Sequence, residues 1–316
     1  MTDESSFRHE PVMLAEVVRA FAAVPAGWVF DGTVGGGGHS AGLLAAHEQV
    51  RVIGGDRDPN ALQAAGEALA EFSERVVLRR QRFDDVAGAM AAVGAEHLSG
   101  ALFDLGVSSH QFDVAERGFS YRNDGPIDMR MDPDQGWSGA DVVNGYSEAD
   151  LARILRDHAD ERFATRIARA IVAARPIEST ADLATVVADA IPAPARRRGG
   201  HPARRTFQAI RIEVNGELDV LPDAIDAAID ATAPGGRVGV LSYHSGEDRI
   251  VKERFRLAAT GGCTCPPGLP CVCGAVRTVR VLKATTASAA EQERNPRARS
   301  ARLRVAERII GEAGGN

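Results

Sequence analysis

Residues 28–40 read Trp-Val-Phe-Asp-Gly-Thr-Val-Gly-Gly-Gly-Gly-His-Ser, and residues 52–58 read Val-Ile-Gly-Gly-Asp-Arg-Asp. A short apolar strand ends in Asp31, a glycine-rich turn and a helix-length gap follow, and a second apolar strand ends in Asp56. Strand, helix, strand at this spacing is the βαβ unit of an open α/β sheet. Glycine lets the backbone take positive φ without Cβ strain and pass close to a ligand. Asp56, about twenty residues beyond the glycines, stands where the ribose hydroxyls of a nucleoside-bearing cofactor are accepted.

Two cofactors compete for such a loop. A dinucleotide site asks for G-x-G-x-x-G with a pyrophosphate over the helix N-terminus. Counted from Gly35 and Gly37, the third glycine position falls on Ser40. An S-adenosylmethionine (SAM) site begins instead with an acid at the end of the first strand and continues with glycines at alternate positions. Asp31, Gly35 and Gly37 fit that pattern, with Thr33 in place of its first glycine. A strand-end carboxylate attracts the sulfonium and ammonium of SAM and repels a pyrophosphate. SAM is the better match; a βα turn with no ligand is the bland alternative.

A chain of 316 residues, 44% of them hydrophobic, can bury a sizeable core and is expected to hold two domains. The opening Met-Thr-Asp-Glu-Ser-Ser has no basic and apolar leader, and no apolar run reaches about 18 residues, so a cytoplasmic protein without membrane association is expected. A net charge of −6 excludes a coat of positive charge but not a local basic face. Of the 37 basic residues only Lys252 and Lys283 are lysines, leaving 35 arginines (37 − 2). Arginine suits bidentate phosphate contacts, although genomic composition explains the total as readily.

Beyond the first βαβ unit, residues 61–72 are Ala/Leu-rich and helical, 75–80 form a third strand and 100–105 a fourth. Residues from about 111 to 145 are loop-like. Leu151, Ile154, Leu155, Phe163, Ile167 and Ile171 then recur at mostly helical spacing. A further helix starts at Ser179, with Asp182 three residues on, and stops before Pro192. The α/β pattern resumes with a helix over 218–231 and a strand over 236–242, and two late runs, 276–282 and 301–309, read as an antiparallel pair at the sheet edge. The fold expected is a doubly wound, Rossmann-like α/β sheet of the SAM-dependent methyltransferase type, split into 1–112 and 207–316 around a helical substrate-recognition insert at 113–206.

Ligands of open α/β sheets bind outside the carboxyl ends of the strands. There the sequence places Asp31, His39, Asp56, Phe83, Asp104, Tyr243 and His244. Phe83 can lie on an adenine face or simply pack in the core. Asp104 stands where amine methyltransferases put the acceptor's hydrogen-bond partner, or serves as a turn carboxylate. His39 can donate to a ligand carboxylate or be structural. Tyr243 and His244 can meet a splayed base or merely terminate the fifth strand.

The segments Asp31-Gly-Thr-Val-Gly-Gly-Gly-Gly-His-Ser, Asp56-Arg-Asp-Pro, Asp104-Leu-Gly-Val-Ser-Ser, Arg117-Gly-Phe-Ser, Asp124-Gly-Pro-Ile-Asp-Met-Arg-Met-Asp, Glu161-Arg-Phe-Ala, Thr206-Phe-Gln-Ala-Ile-Arg-Ile-Glu-Val-Asn and Asn295-Pro-Arg-Ala-Arg-Ser resemble the MraW family, the ribosomal RNA small-subunit methyltransferases H. The resemblance runs from His9 to Ile309. It implies SAM-dependent methylation of the exocyclic N4 of one cytidine in the decoding region of 16S rRNA, on the 30S subunit. The SAM contacts it implies are Gly37, Gly38, His39, Asp56, Phe83, Asp104 and Gln111. Two departures touch the rim of the site: Val34-Gly-Gly, where an aromatic and a basic residue are frequent, and Gly246, where leucine is usual.

A cytosine amino group is a poor nucleophile, and N-methylation gains from acceptors that hold its N–H groups and from in-line positioning. Amine methyltransferases usually offer Asp/Asn-Pro-Pro-aromatic for this. Asp104-Leu-Gly-Val has neither prolines nor an aromatic, so no catalytic residue is assigned.

Six arginines and no acid lie between Arg196 and Arg211 (196, 197, 198, 204, 205, 211), and Gly199, Gly200 and Pro202 are expected to keep this stretch out of a regular helix. Six more, against Glu307 alone, lie between Arg294 and Arg308. Both runs suit a phosphate-tracking face, with Arg204 and Arg205 as substrate contacts. Cys263-Thr-Cys265 and Cys271-Val-Cys273 bracket a turn and could hold zinc, but C-x-C is less typical than C-x-x-C, so the spacing alone assigns no metal. Oligomeric state stays open, a homodimer included. Two other classes compete: an NAD-dependent oxidoreductase, and a non-catalytic ribosome-assembly factor, against which Asp31, Asp56 and Asp104 all speak.

Overall fold

The computed structural model describes residues 11–196, 200–266 and 272–313; Arg197, Arg198 and Cys271 lie outside them. In chain order the first part forms α1 (Leu14–Phe21), β1 (Gly27–Asp31), α2 (Gly38–Ala46), β2 (Val50–Asp56), α3 (Pro59–Ala68), β3 (Val76–Arg80), α4 (Val86–Val93) and β4 (Leu98–Asp104). A helical stretch follows: α5 (Ser109–Asp113), α6 (Gly139–Gly145), α7 (Glu148–Ala159), α8 (Ala164–Ala173), α9 (Thr180–Ala190), α10 (Ala193–Arg196) and α11 (Arg204–Asn215). The chain then continues with α12 (Glu217–Ala231), β5 (Thr232–Ser242), α13 (Ser245–Thr260), β6 (Val276–Val281), β7 (Thr285–Thr286), α14 (Ala289–Arg294) and β8 (Arg302–Ala313). Two compact units result: one runs to Gly106 and resumes at Val220, the other is Val107–Asp219.

The first unit is an α/β sheet in the order β3-β2-β1-β4-β5-β8-β6, with β7 paired to β8. The five strands from β1 to β5 are parallel, and β8 runs antiparallel between β5 and β6. The expected late antiparallel pair therefore does close the edge, with the last strand on the inside. Successive strand residues face opposite sides of a sheet. Val29, Val52, Leu102 and Leu241 pack with Val17, Phe21, Leu43 and Ala65 of α1 to α3. Their neighbours Phe30, Ile53, Phe103 and Val240 pack with Val86 of α4, Ile225 of α12 and Val251 and Phe255 of α13. Both faces are covered, which is why the strands read as continuous apolar runs.

The second unit has its own core, built from Ile154 and Leu155 of α7, Ile167 and Ile171 of α8, Leu183 and Val187 of α9, and Phe207, Ile210 and Val214 of α11. Three sequence expectations are corrected here. The single periodic helix through Leu151 and Ile171 is two helices, broken at Asp160, whose φ of 50° puts it in the left-handed region. Its N–H donates to Arg156 O and the N–H of Glu161 to Leu155 O, a left-handed helix cap built on an aspartate instead of a glycine. Residues 200–203, around Pro202, are non-helical as expected, but the arginine stretch does not stay irregular to its end: Arg204, Arg205 and Arg211 lie in α11. The insert expected at 113–206 is the unit Val107–Asp219, because the apolar face of α11 is buried in the helical core. The loop-like region 111–145 also contains α6, started by Ser138 with a reciprocal Asp141 cap. The Ser179 start of α9 stands as read.

Candidate functional site

Asp31, at the end of β1, is almost wholly withdrawn from solvent. Its Oδ2 accepts the Ser40 hydroxyl at 2.6 Å and its Oδ1 the N–H of Thr33 at 3.3 Å. Both donors belong to the segment that follows β1, so the carboxylate folds that loop back over the strand end. Gly35 and Gly37 there have φ of 50° and 83°, and Gly37 caps α2. A Cβ on Gly37 would also press on Leu69 and Ala65. The same turn lets Thr33 Oγ1 accept the N–H of Asp104 at 2.6 Å, joining the ends of β1 and β4.

Asp104 is held on both sides. Its Oδ1 accepts the Tyr243 hydroxyl at 2.6 Å, and its Oδ2 lies 3.5 Å from Nδ1 of His39. The other ring nitrogen of His39 is 2.9 Å from Val12 O, which fixes the imidazole plane. Glu247 completes the arrangement. Its Oε2 accepts from Tyr243 N at 2.7 Å and from His244 N at 3.2 Å. His244 is the N-cap of α13, with Nδ1 accepting from Glu247 N at 3.4 Å. Its Nε2 approaches Glu247 Oε1 at 3.0 Å, off the angle of a hydrogen bond.

Asp56 ends β2 and accepts backbone N–H groups from Gly35 at 3.1 Å and Asp58 at 2.9 Å. Burial pushes its carboxyl from 3.8 up to about 6, against those two hydrogen bonds. Burial likewise raises Asp31 and Asp104, the nearby His39 working the other way in both. Tyr243 is pushed well above its ordinary value by burial and by Asp104. Phe83 is half-buried and meets Phe103 edge-on, with ring centroids 5.9 Å apart.

Seven of the sequence-derived residues in the α/β unit, Gly37, Gly38, His39, Asp56, Asp104, Tyr243 and His244, thus lie in the segments at the ends of β1, β2, β4 and β5; Phe83 follows β3. Tyr243 and His244 are engaged in bonds that position Asp104 and start α13. In the helical unit, Gln111 is buried and makes a local turn with Ser108, whose N–H it accepts at 3.1 Å. Arg204 and Arg205 are exposed at the start of α11, and Arg205 donates to the carbonyl of Asp160 at 2.8 Å. Arg211 is spent on a bidentate pair with Glu217 at 2.8 and 3.0 Å. Sequence reasoning missed Ser40, the Thr33 hydroxyl and Glu247. An acid at the third position of a helix after a polar cap was the available signal for Glu247.

The donor set fits SAM. Two of roughly four lone-pair directions on Asp56 are taken by backbone N–H groups, leaving acceptor capacity for ribose hydroxyls. A Cβ on Gly36 would meet nothing within 4 Å, so the loop is open at that point. One buried and two half-buried carboxylates, all with raised pKa values, favour a cationic ligand and oppose a pyrophosphate.

The Asp56 carboxyl sets a stability test. Its folded pKa of about 6 lies above the ordinary 3.8, so ionisation opposes folding, fully above about pH 6 and not at all below about 4. Whatever constant offset Asp56→Asn introduces, the melting temperature of the variant minus that of the wild type is expected to grow between about pH 4 and pH 7. Thermal scans of ligand-free protein across that range check it; a pH-independent difference refutes it.

A family model described as MraW methylase matches residues 6–309. A protein of Heliobacterium modesticaldum named ribosomal RNA small subunit methyltransferase H is 50% identical over 96% of this chain and 99% of its own. One of the same name from Frankia alni is 51% identical over 95% of each. Among solved structures, an rRNA methylase from Streptococcus thermophilus is 11% identical, with 96% and 100% of the two chains covered and a TM-score of 0.42. On the near full-length family match and relatives half identical along almost their whole length, the chain belongs to the MraW methylase family and is a SAM-dependent methyltransferase.

Proposed function

We propose that this protein methylates the exocyclic N4 of one cytidine in the decoding region of 16S rRNA, acting in the cytoplasm on the 30S subunit. The observation that carries the reading is relatedness to small-subunit rRNA methyltransferases over nearly the whole chain, with Asp31, Asp56 and Asp104 all present.

Bound SAM supplies an electrophilic methyl on a sulfonium. The chain supplies position and charge. Asp56 accepts the ribose hydroxyls, Gly37 and Gly38 let the backbone approach, Phe83 offers a ring to the adenine, and His39 and Asp104 complete the contacts from the α/β unit. Tyr243 and His39 keep the Asp104 carboxylate in one orientation, so no reorganisation is needed when positive charge arrives. The cytidine is read after it leaves its stack, as reagents of this size cannot reach N4 within a helix. Arg204 contacts backbone phosphate, and Arg205 does so from its tie to the α7 cap.

Asp56→Ala is expected to weaken SAM about ten- to a hundredfold, the loss of charge-assisted hydrogen bonds of roughly 1.5–3 kcal/mol, with circular dichroism unchanged. Isothermal titration reads this directly, and unaltered affinity places the ribose elsewhere.

Arg204→Ala is expected to lower the log–log salt slope of RNA binding by about one phosphate equivalent and to leave SAM affinity untouched. Arg205→Ala is expected to do the same while also loosening the α7 C-terminus. A salt slope equal to that of the wild type in both variants removes these residues from the RNA face.

The decisive test is transfer of radiolabelled methyl from SAM to naked 16S rRNA, 30S subunits and 70S ribosomes, with the product mapped to a nucleotide. One cytidine, labelled best in the small subunit, is expected because the pocket reads shape as well as base. Equal labelling of many cytidines in naked RNA overturns the specificity, and no transfer to any form favours an assembly factor without catalysis.

A further inference from the structure

Residues 261–275, between α13 and β6, contribute none of the strand-end residues described above. They nevertheless carry both C-x-C pairs. The Sγ atoms of Cys263, Cys265 and Cys273 all lie within 4.8 Å of one another, and those of Cys263 and Cys273 are 3.6 Å apart. We propose that these three thiolates bind a zinc ion that closes the loop between α13 and β6.

The fold brings the two arms together deliberately. α13 ends at Gly261 and Gly262, with φ of 62° and 71°, and the chain turns back at once: Gly262 N donates to Leu257 O and Cys263 N to Thr260 O. A Cβ on Gly261 would lie 2.6 Å from Val276 N, so glycine alone lets the departing and returning chains touch. Arg277 Nε donates to Ala259 O at 3.1 Å and Thr278 Oγ1 to Ala258 O at 3.4 Å, stitching β6 to the last turn of the helix. Gly274, at φ 70°, makes the returning bend one residue after Cys273. The loop base is thereby fixed with the sulfurs facing one another above it.

Spacing distinguishes a metal from a disulfide. A sulfur–sulfur bond is about 2.05 Å long. Zinc–thiolate bonds of about 2.3 Å in tetrahedral geometry put neighbouring sulfurs about 3.8 Å apart, near the 3.6 Å found. A set of soft thiolates excludes magnesium and calcium and suits zinc. Cys263 and Cys265 are half-buried and Cys273 is exposed, so the ion can enter from solvent and a fourth donor can complete the tetrahedron. Binding converts three thiols to thiolates, releasing three protons for one Zn²⁺ with no change of oxidation state. Val272, beside Cys273, is 90% exposed.

Zinc is measured by elemental analysis of the full-length protein, purified from zinc-supplemented cells in reducing buffer without chelator. About one ion per chain is expected in the wild type and under about a tenth in the Cys263→Ser/Cys265→Ser/Cys273→Ser variant, with SAM binding retained. Zn²⁺ alone added to chelator-stripped wild type is expected to restore the ion, and Co²⁺ in its place to give a thiolate-to-metal charge-transfer band. Limited proteolysis of the wild type before and after chelation, which needs no variant, is expected to show new cleavage within 261–275 only after metal removal. A wild-type protein without zinc, undiminished zinc in the triple variant, or a mass lower by two hydrogens from an oxidised cysteine pair overturns the proposal.

Discussion

Asp31 is the constraint from which the site follows. A carboxylate buried at the end of a central strand is costly unless donors replace the water it has lost. Here both replacements, the Ser40 hydroxyl and the Thr33 N–H, come from the chain that leaves the strand, residues 32–40. The charge is tolerable only when that chain doubles back. Doubling back places Thr33 Oγ1 under the N–H of Asp104, so the end of β4 is set by the same event. It also requires Gly32 to remain without a side chain, since a Cβ there would strike the Phe103 ring at 2.7 Å. A substitution at Asp31 would therefore disturb the loop, the helix start and Asp104 together.

The arrangement concentrates negative charge where water is scarce. Asp31 and Asp104 are close enough for each other's field to raise the carboxyl of Asp31, and Glu247 does the same to Asp104. An apo site of this kind is strained electrostatically, and a cation relieves it. This explains in physical terms why the glycine loop belongs to a sulfonium cofactor, although its sequence is only a short step from a dinucleotide fingerprint. Tyr243 contributes by giving Asp104 a hydroxyl donor that stays protonated, since burial and the carboxylate both hold its own proton in place.

What the sequence made legible was local. Each strand of the parallel sheet is an apolar run closed by a marked residue, so Asp31, Asp56 and Asp104 were found at strand ends without knowing the strand order. Pairings across long separations were not legible: Tyr243 and Asp104 are 139 residues apart, and no pattern announces their bond. The break between α7 and α8 was hidden for another reason. Its left-handed residue is Asp160, and the apolar spacing continues across it, so periodicity reads one helix where the carbonyls of Leu155 and Arg156 close two. The arginine runs were the least legible, because charge in a sequence does not say whether a guanidinium faces water or a carbonyl.

That last ambiguity bears on how the protein can hold RNA. Arg75 donates to the carbonyls of Leu44, His47 and Val50, tying the C-terminus of α2 to the start of β2. Arg304 forms a bidentate pair with Asp248, which Arg302 approaches at 3.7 Å, and Arg308 reaches Thr278 O. Arg211 is committed to Glu217, and Arg237 to Glu307. Much of the arginine content is therefore architectural: a planar, permanently charged fork suits carbonyl clusters as well as it suits phosphate. Among the described residues, Arg205 and Arg211 of the first run and Arg302, Arg304 and Arg308 of the second are thus already engaged within the protein, on a chain whose net charge is −6. Affinity from counterion release scales with the number of phosphates neutralised. On the proposed function, selectivity comes from the shape of an assembled RNA surface, which a cytidine presented by a folded subunit provides and a free strand does not.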